Sequence, residues 1–430
     1  MIYKSLEVDS ETALKLNKEY YSENVKLDFL TKAMYDRRYP KVLGSIIYNL
    51  IDNNYRGKPG INVLEIGARG IYFEKGFYDE ISLNDSKEGT DYAKRIHYIV
   101  LDLSKVAVEN AKAEYAGLHG SCFNTEFIVG DALTAKLPKN IDIVIMNELL
   151  DDLQQMVVTK KDGRLYEMTF KMAPGSGIDS WIKLQRKRLR PLEYGNAGYL
   201  KDISEMLGEG QAITFSPVID KLFNNIASVS NEESHLIIHD YFVTGSVPAK
   251  YAPSLKRVYG RDDPGIIFAD NVSDGLLQVT SDVNLHQVLD VLSRNGYAAY
   301  TIENYDLFID EALGHRYIYT DALAFAINAL DTSAKKDLLK RLGGPELEEN
   351  ASNGQTCAAL VEKLNSVFPG RFKLKQTKIF GFAGKFDIDV RKDERLDVLY
   401  EVYRNSYAMA NPFMNIAAVK VEPFKSLKRY

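Results

Sequence analysis

Short apolar runs recur along the chain, each bounded by polar residues or glycine. Five of them are rich in isoleucine, valine or leucine: Val63 to Ile66, Tyr98 to Leu101, Phe127 to Val129, Ile143 to Met146 and Leu236 to Ile238. Continuous apolar runs of this kind are typical of parallel strands that are covered on both faces. We therefore predict five strands of a buried sheet.

Helical patterns accompany these runs. The stretch from Arg38 to Ile51 predicts a helix with one apolar face, and the polar cluster Asn53 to Gly60 predicts the turn that ends it. The apolar residues of this helix recur at helical spacing: Val42, Leu43, Ile46, Ile47 and Leu50. Ser104, followed by KVAVENAKAEY, predicts a second helix with Ser104 as its N-cap. Strands that alternate with helices predict a doubly wound α/β sheet.

Two longer stretches interrupt this alternation. Tyr78 to Arg95 is polar and lengthens the first crossover, whereas Thr159 to Glu233 is a larger insertion between the fourth and fifth strands. Asp162-Gly163, between alternating residues, predicts a hairpin near the start of the insertion. We interpret the basic stretch Lys183 to Arg190 as a solvated helix face rather than a nucleic-acid patch, because charge runs usually face water.

The pattern changes after about residue 320. Ala322 to Leu342 and Cys357 to Val367 have the pattern of helices, whereas Phe372 to Phe382 alternates like a strand. A last apolar run extends from Ile416 to Val421. The sequence leaves open whether the final hundred residues close the sheet or form an appended domain.

These patterns divide the chain into four parts. We predict an N-terminal helical segment, a Rossmann-like domain in two pieces, an insertion that forms a substrate or lid subdomain, and a C-terminal extension. Their predicted bounds are 1–55 for the helical segment, 56–158 and 234–320 for the Rossmann-like domain, 159–233 for the insertion and 321–430 for the extension.

Composition and charge restrict the classes of function. The chain has 430 residues, of which 45% are hydrophobic and 26% charged, as in ordinary globular proteins. A net charge of −5 argues against non-specific nucleic-acid binding. The two cysteines, Cys122 and Cys357, exclude a disulfide framework and a four-cysteine zinc site. No run approaches the ~18 apolar residues of a membrane span, so we expect a soluble protein of the reducing cytoplasm.

The residues that follow the predicted strands are the candidates for a binding site, because ligands bind outside the carboxyl ends of an open parallel sheet. In the first loop, Gly67 and Gly70 allow the backbone to approach a ligand closely. After the second strand, Asp102 can accept hydrogen bonds from both hydroxyls of a ribose. Asp131 follows the third strand and can accept from an adenine amino group. The fourth strand is followed by the polar segment Asn147 to Asp152.

Each of these residues also has a simpler structural interpretation. Gly67 and Gly70 suit a plain tight turn, Asp102 suits the favourable end of a helix dipole, and Asp131 suits an ordinary turn. A nicotinamide site requires G-x-G-x-x-G and an acidic residue about 20 positions later. Because only Gly67 and Gly70 of that pattern are in place, we disfavour a nicotinamide cofactor.

Taken together, the motifs resemble those of the MidA-like S-adenosyl-L-methionine (SAM)-dependent methyltransferases, which include the mitochondrial complex I assembly arginine methyltransferase. The resemblance extends from about Tyr20 to Gly314, and its most distinctive piece is Asn147 to Leu153, similar to N-E-x-x-D-A-L-P. The other similar pieces are Tyr20-Tyr21, Asp28 to Thr31, Glu65 to Gly70, Phe215 to Pro217, Leu236 to Tyr241, Asp262 to Pro264 and Leu277 to Val283. The chain departs from the family pattern in a glycine loop one residue shorter, in Gln154 where proline is expected, and in Asn284 where an acidic or aromatic residue is usual.

The resemblance implies a class I methyltransferase fold with SAM as cofactor. With the strand-end argument it gives the candidate cofactor-binding residues: Glu65, Gly67, Arg69, Gly70, Asp102, Leu103, Gly130, Asp131, Ala132 and Asn147. It also implies that Glu148 and Asp151 are the catalytic carboxylates and that the methyl acceptor is an arginine of a protein substrate.

An arginine acceptor is chemically demanding, because its guanidinium stays protonated with a pKa above about 12. Carboxylates that pair with two of its nitrogens orient the group and leave lone-pair density on the third. The structural alternative is that Asp151 caps the following helix and Glu148 faces solvent or SAM. Arg69 can pair with the methionine carboxylate of SAM or lie at the surface. His239 and Asp240 end the fifth strand and can line the substrate side, or be structural.

A metal site and two other functions are the alternatives to this interpretation. His235 and His239 are the two histidines that are four apart, and four residues of a strand span about 13 Å, so we predict no metal site. A methyltransferase for a small molecule and a non-catalytic assembly factor are the competing functions, and the shortened glycine loop motivates the second. We expect no nucleic acid and no membrane span, and a homodimer remains open.

Overall fold

A computed structural model of the protein contains two compact units. The first comprises Met1–Ile302 and Phe413–Tyr430, and the second comprises Glu303–Pro412. The residues that the structure describes are 7–23, 38–68, 70–118, 122–173, 183–192, 203–250, 252, 256–260, 277–305, 308–309, 317–319, 323, 327, 330–367, 386–389, 397–410 and 413–421. Arg69 and the predicted strand Phe372 to Phe382 lie outside the described residues.

The bounds of the described elements are as follows. The strands are β1 (Glu7–Val8), β2 (Ile61–Ile66), β3 (Ile96–Asp102), β4 (Asn124–Val129), β5 (Ile141–Asn147), β6 (Met156–Lys161), β7 (Arg164–Ala173), β8 (Lys183–Pro191), β9 (Gln211–Phe215), β10 (Ser230–Val243), β11 (Val247–Pro248), β12 (Lys256–Gly260), β13 (Leu277–Ser281), β14 (Val283–Asn284), β15 (Tyr297–Asn304), β16 (Tyr317–Tyr319), β17 (Phe386–Asp389) and β18 (Phe413–Lys420). The helices are α1 (Ser10–Glu23), α2 (Arg38–Asn54), α3 (Tyr72–Glu88), α4 (Tyr92–Arg95), α5 (Lys105–Ala116), α6 (Ile219–Val229), α7 (Leu285–Arg294), α8 (Thr332–Arg341), α9 (Asn353–Val367) and α10 (Asp397–Ala410).

All five predicted strands lie in one sheet. Its strand order is β15-β18-β10-β5-β2-β3-β4, with β14 beside β10. The strands β4, β3, β2, β5 and β10 are parallel to their neighbours among these five, whereas β18 runs antiparallel to β10. Each predicted run lies within a longer strand. The predicted doubly wound α/β fold is therefore confirmed.

Alternate residues of each strand point to opposite faces of this sheet, and helices pack on both faces. Leu64, Val144 and Leu236 join α6 and α7 in one buried cluster. On the other face, the ring of Tyr98 in β3 lies 6.4 Å from the ring of Phe77 in α3. Two covered faces explain why β2 and β5 are buried along almost their whole length.

The first predicted helix is confirmed as α2, but its buried face is displaced from the predicted stripe. Ile46 and Leu50 are only half-buried. Leu43, Ile47 and Ile51 are 0–1% exposed and form the centre of the buried face. The apolar pattern predicts the helix well, whereas the rotation of the helix about its axis is decided by what it packs against.

The crossovers after β2 and β3 are helical. Ser104 caps α5 as predicted, since its side chain accepts a hydrogen bond from the Ala107 backbone N at 3.1 Å. The polar stretch that lengthens the first crossover forms most of α3 and the short α4. Asp85 joins these two helices, because its carboxylate accepts from the backbone N of Tyr92 at 3.0 Å and of Ala93 at 2.8 Å.

A second sheet has the order β1-β7-β6-β9-β11, with β8 beside β7. Its strands between β5 and β10 begin at Met156 and end at Phe215, whereas α6, which follows them, packs on the main sheet. The hairpin between β6 and β7 is confirmed, and its turn residues Asp162 and Gly163 have φ of 50° and 72°. Positive φ at both positions is what a two-residue turn of type I′ requires.

The helical interpretation of Lys183 to Arg190 is wrong. This stretch forms β8, which pairs antiparallel with β7. Arg190 contacts Asp9 at 2.8 Å and Glu167 at 3.7 Å, so part of its charge is neutralised. A run of charges does not fix the backbone conformation, and pairing with the hydrogen-bonding groups of β7 decides it here.

The second unit has a buried core of its own. The core residues are Leu323, Ile327, Leu338, Leu339, Leu360, Leu364, Leu399, Tyr400 and Tyr403. The predicted helix Cys357 to Val367 is confirmed within α9. The helix predicted over Ala322 to Leu342 is confirmed in part as α8, which begins after Asp331, and Leu330 and Asp331 interrupt the predicted helix. The Asp331 side chain accepts from the Ala334 backbone N at 2.8 Å and caps α8.

The last apolar run returns to the main sheet. It forms most of β18, which lies between β10 and β15. The final hundred residues therefore do both things that the sequence left open: Glu303–Pro412 forms a separate unit, and the strand after it completes the main sheet. No helix among the described residues combines the length and the apolar character needed to cross a membrane.

Candidate active site

The candidate site lies at the carboxyl ends of the parallel strands, where the strand order reverses. β2 has β3 on one side and β5 on the other, and the crossovers from β2 and β5 leave in opposite directions along the sheet. Such a switch point opens a crevice for ligands in doubly wound sheets. The loops after β2, β3, β4 and β5 carry the candidate residues.

The glycine loop after β2 turns sharply at Gly67. Its φ is +78°, a region that glycine adopts without strain. The Gly67 backbone N donates to Leu101 O at 2.8 Å, which ties the loop to β3. A Cβ at this position would lie 3.2 Å from Leu149 Cδ1, whereas a Cβ at Gly70 would meet no atom of the described residues within 4 Å. The loop therefore presents bare backbone, and the open space beside it lies at Gly70, where a ligand could approach.

Glu65 is a buried carboxylate just before this loop. It is 1% exposed, and its Oε2 accepts from the Tyr98 hydroxyl at 2.8 Å. Its Oε1 is buried and has no hydrogen-bond partner within the described chain. Burial raises the pKa of Glu65 to about 8, although the Tyr98 hydroxyl opposes this and the nearby Glu74 and Asp102 carboxylates add to it. An orphaned buried oxygen is costly, so a ligand that donates to it would stabilise the site.

Asp102 ends β3 and is 6% exposed. Its Oδ1 accepts from the Ser104 backbone N at 2.7 Å, so the carboxylate also helps to start α5. The structural interpretation of Asp102 as a group at a helix N-terminus is therefore correct, and it leaves the predicted ribose contact untested. Leu103, the next residue, is 36% exposed, which is unusual for a leucine beside a buried strand end.

The loop after β4 is bonded to the loop after β3. The Gly130 backbone N donates to Asp102 O at 2.9 Å, and a Cβ on Gly130 would lie only 2.9 Å from Ala135 Cβ. Asp131 Oδ1 accepts from the Leu133 backbone N at 2.9 Å, as in an ordinary turn. Its Oδ2 accepts from Lys18 Nζ at 3.1 Å. The predicted adenine contact of Asp131 stays a prediction.

Ala132 contributes its backbone to the same loop. Its carbonyl O accepts from Asn225 Nδ2 at 3.0 Å, and Asn225 belongs to α6. This bond fixes the loop after β4 against a helix that packs on the sheet. The position of Ala132 is thereby set by tertiary contacts rather than by its own side chain.

Asn147 ends β5 and is held by an aromatic residue that the sequence did not single out. Tyr39 of α2 donates its hydroxyl to Asn147 Oδ1, while Asn147 Nδ2 is buried without a hydrogen-bond partner among the described residues. Tyr39 is 0% exposed, and burial raises its pKa well above the ordinary value. An orphaned amide donor beside the glycine loop is a second polar atom that a ligand could satisfy.

Glu148 and Asp151 lie on the loop after β5. Glu148 has φ of 45°, an uncommon conformation for a residue with a side chain, and its backbone N donates to His239 O at 2.7 Å. The Leu150 backbone N donates to Asp240 Oδ2 at 2.7 Å. Asp151 is 6% exposed and its carbonyl O accepts from the Ser281 backbone N at 3.1 Å. The loop is thus fixed by bonds to β10 and β13, and Asp151 caps no described helix.

Asp240 and His239 lie inside β10 rather than after it, and both are 0% exposed. Burial raises the pKa of Asp240 well above its ordinary value, and the charges of Glu148 and Asp152 add to this. Burial also lowers the pKa of His239 to about 3, and its ring lies 4.5 Å from the ring of Tyr39. His239 is therefore neutral near pH 7, and the charges that act on Asp240 are those of the Glu148 and Asp152 carboxylates.

Helix α1 is hydrogen-bonded to the loop after β5. Asn17 is 3% exposed; its Nδ2 donates to Asp152 O at 2.9 Å and to Val279 O at 2.7 Å. Its Oδ1 accepts from the Val279 backbone N at 2.7 Å. Tyr21 donates its hydroxyl to Asp152 Oδ2. Asn17 was not predicted from the sequence, although an asparagine on the buried face of an amphipathic helix is a usable signal for a polar anchor.

Nearly every predicted site residue therefore lies among the described residues at this edge of the sheet. Backbone bonds join the loops after β2 and β4 to the end of β3, and the loop after β5 bonds to β10. Arg69 lies outside the described residues. No group of three or more histidine, cysteine or acidic side chains arranged for a metal ion occurs within the described part of the chain.

A family model described as "Putative S-adenosyl-L-methionine-dependent methyltransferase" matches residues 42–301 of the chain. This range includes β2 to β14 and every candidate cofactor residue. No curated protein matches the chain.

Several solved structures are similar to this chain. A COG1565 superfamily protein from Burkholderia thailandensis shares 12% identity with a TM-score of 0.50, covering 97% of this chain and 88% of that one. A member of the same superfamily and organism, bound to S-adenosyl-homocysteine, shares 13% identity with a TM-score of 0.49, covering 92% and 80%. A SAM-dependent methyltransferase from Methanosarcina mazei shares 12% identity with a TM-score of 0.29, covering 59% and 86%. At 12% identity, the similarity to the first of these structures shows a shared fold alone.

Proposed function

The chain belongs to this family of SAM-dependent methyltransferases, and we propose that it methylates an arginine side chain of a protein. The observation that carries the proposal is the acidic loop after β5. Glu148 and Asp151 lie on it; burial raises the pKa of the neighbouring Asp240, and the charges of Glu148 and Asp152 add to this rise. A site with this excess of carboxylates favours a cationic acceptor over a neutral one.

The residues at the strand ends fit the cofactor. Bare backbone at Gly67 and Gly70 leaves room for its methionine part, and Glu65 Oε1 and Asn147 Nδ2 are orphaned polar atoms beside it. We place the ribose at Asp102, since a carboxylate accepts from two neighbouring hydroxyls. We place the adenine between Leu103 and the loop after β4.

When bound, SAM would supply a methyl group on a sulfonium: the acceptor nitrogen bonds to the methyl carbon in line as the carbon–sulfur bond breaks, and S-adenosylhomocysteine leaves. The task of the protein is then to position the acceptor at near-attack distance. In this proposal Glu148 and Asp151 pair with two nitrogens of the guanidinium, which orients the third nitrogen toward the methyl group. That nitrogen gains the methyl group and releases one proton, so the guanidinium stays a cation that the two carboxylates still bind.

The rigidity of the loop supports this role. Hydrogen bonds to His239 O and Asp240 fix the backbone of Glu148 and Leu150. The three bonds of Asn17 fix Asp152 and Val279 on the other side. Carboxylates held in this way lose little conformational freedom when a substrate binds.

Glu148→Gln tests the proposal. Because it removes one charge but keeps the shape, we expect transfer to arginine peptides to fall roughly 10- to 150-fold, the value of one charged hydrogen bond. Binding of S-adenosylhomocysteine should stay close to wild type. The measurement is mass spectrometry of arginine-containing peptides and trapped partner proteins after incubation with SAM carrying a labelled methyl group.

Asp162→Asn is the matched control, since it also removes one carboxylate but lies at the exposed hairpin between β6 and β7. Wild-type turnover by Glu148→Gln would refute its role. Saturable SAM binding with no transfer to any protein fraction would favour a small-molecule acceptor. An absence of SAM binding at millimolar concentration would favour a non-catalytic assembly factor. The cytoplasmic location stays a prediction from the sequence, and a homodimer stays open.

A further inference from the structure

Helix α1 has two faces with different roles. One face is buried and anchors the helix through Ser10, Ala13, Asn17 and Tyr20, which are 3–4% exposed. The other face borders an open, solvent-facing cavity of about 410 Å³. The residues that line this cavity are Glu11, Leu14, Lys15, Lys18 and Glu19 of α1 and Leu103 after β3.

The cavity adjoins the proposed adenosine end of the cofactor site. Leu103 directly follows Asp102, the proposed ribose ligand, and is 36% exposed within the chain itself. Lys18, which lines the cavity from α1, donates to Asp131 Oδ2 at 3.1 Å. Two loops that carry proposed adenosine contacts are therefore brought against the same face of α1.

The helix is docked firmly enough to act as a wall. Asn17 makes three hydrogen bonds to Asp152 and Val279. At the start of the helix, the Thr12 backbone N donates to Asp9 Oδ1 at 2.8 Å. Asp9 in turn pairs with Arg190 of β8 at 2.8 Å, so the second sheet supports the position of α1.

The chemistry of the lining suits a purine. A purine has apolar faces and a polar edge, so its pocket needs apolar side chains beside hydrogen-bonding groups. Leu14 and Leu103 provide apolar surface, and the Lys18–Asp131 pair lies beside them. We propose that α1 forms the outer wall of the adenosine subsite, with Leu14 packing on the adenine and Lys18 holding Asp131 in position. The inference rests on the cofactor placement proposed above.

Calorimetric titration with two ligands tests this wall. S-adenosylhomocysteine carries adenosine and an amino-acid part, whereas 5′-methylthioadenosine lacks the amino-acid part. Leu14→Ala removes apolar contact with the base, so we expect both ligands to bind about 5- to 30-fold more weakly, by the same factor. Leu14→Met keeps the apolar contact and should bind both within about twofold of wild type.

Leu83→Ala is the matched control, because Leu83 is a leucine of α3 that is 48% exposed and does not line the cavity. It should bind both ligands as wild type does. Thermal unfolding of each variant, read alongside, shows that the loss in Leu14→Ala occurs in folded protein.

Two results separate the inference from the cofactor placement beneath it. If Asp102→Ala weakens binding while Leu14→Ala does not, the wall is refuted and the placement stands. If Leu14→Ala weakens S-adenosylhomocysteine but not 5′-methylthioadenosine, α1 contacts the amino-acid end and the inference is again overturned. If neither ligand binds the wild-type protein, or Asp102→Ala binds normally, the placement itself fails and the wall with it.

Discussion

Burial, more than residue type, sets the pKa values of two buried glutamates, Glu65 and Glu74. Glu65 and Glu74 are 1% and 0% exposed, and burial raises their pKa values to about 8 and about 7. Glu65 accepts from Tyr98, and Glu74 accepts from Thr125. Each retains one buried oxygen without a partner among the described residues. At neutral pH the proton on such a group is retained by the cost of burying its charge.

This leads to a pH dependence of stability. Folded Glu65 holds its proton up to about pH 8, whereas the unfolded carboxyl loses it near 4.5. Between these two pH values unfolding releases a proton, so the free energy of unfolding falls as the pH rises. The stability that protonated Glu65 contributes is fully present below pH 4.5 and is lost as the pH rises through 8. We expect Glu65→Gln to flatten the fall in unfolding free energy between pH 5 and 8, as measured by urea titration. Glu74 retains part of the slope, since its shift has the same sign.

The control for this measurement is Glu88→Gln, an exposed glutamate near the end of α3. It should show the wild-type slope between pH 5 and 8. An identical slope in Glu65→Gln and wild type would show that Glu65 ionises in the folded protein.

At the scale of elements, local residues fix where helices and turns begin and end. Ser104 starts α5 and Asp331 starts α8, each by accepting a hydrogen bond from a backbone N three residues on. The Asp162-Gly163 turn sets the pairing of Lys161 with Arg164 in the hairpin. Such signals lie within four residues of each other, which is why the sequence shows them.

The hairpin turn provides a test at this scale. Gly163 has φ of +72°, so Gly163→Ala places a side chain in a left-handed conformation and should cost about 1–2 kcal/mol of unfolding free energy. Gly57→Ala is the control, since Gly57 has no such φ and a Cβ there meets no atom within 4 Å. Urea unfolding compares the two variants. Equal stability of both would mean that the turn tolerates alanine by rearranging.

At the scale of the whole molecule, distant segments complete the main sheet and its site. β18 follows the second unit in the chain but lies between β10 and β15 in the sheet. Its Ile416 and Ala418 are 0% exposed and belong to the same buried cluster as Leu64 and Val144. The last strand is therefore part of the core that supports the cofactor loops.

Ile416→Ala measures that dependence. Removing a fully buried isoleucine side chain leaves a cavity and should cost about 2–5 kcal/mol of unfolding free energy. Ile302→Ala, the same change in β15 at a side chain that is 43% exposed, should cost less than about 1 kcal/mol. Chemical denaturation of both variants gives the values. A small loss at Ile416 would show that β18 adds little to the core.

The sequence by itself determined the five parallel strands, the hairpin, the cap of α5 and the polar residues at the strand ends. These depend on neighbours along the chain, and a strand buried on both faces must be apolar throughout. Only the tertiary structure decided that Lys183 to Arg190 is a strand, that Asn17 anchors the loop after β5, and that α1 borders Leu103. Asn17 and Val279 are separated by 262 positions in the chain. Contacts of such range depend on which surfaces meet when the units fold, and no local pattern records that choice.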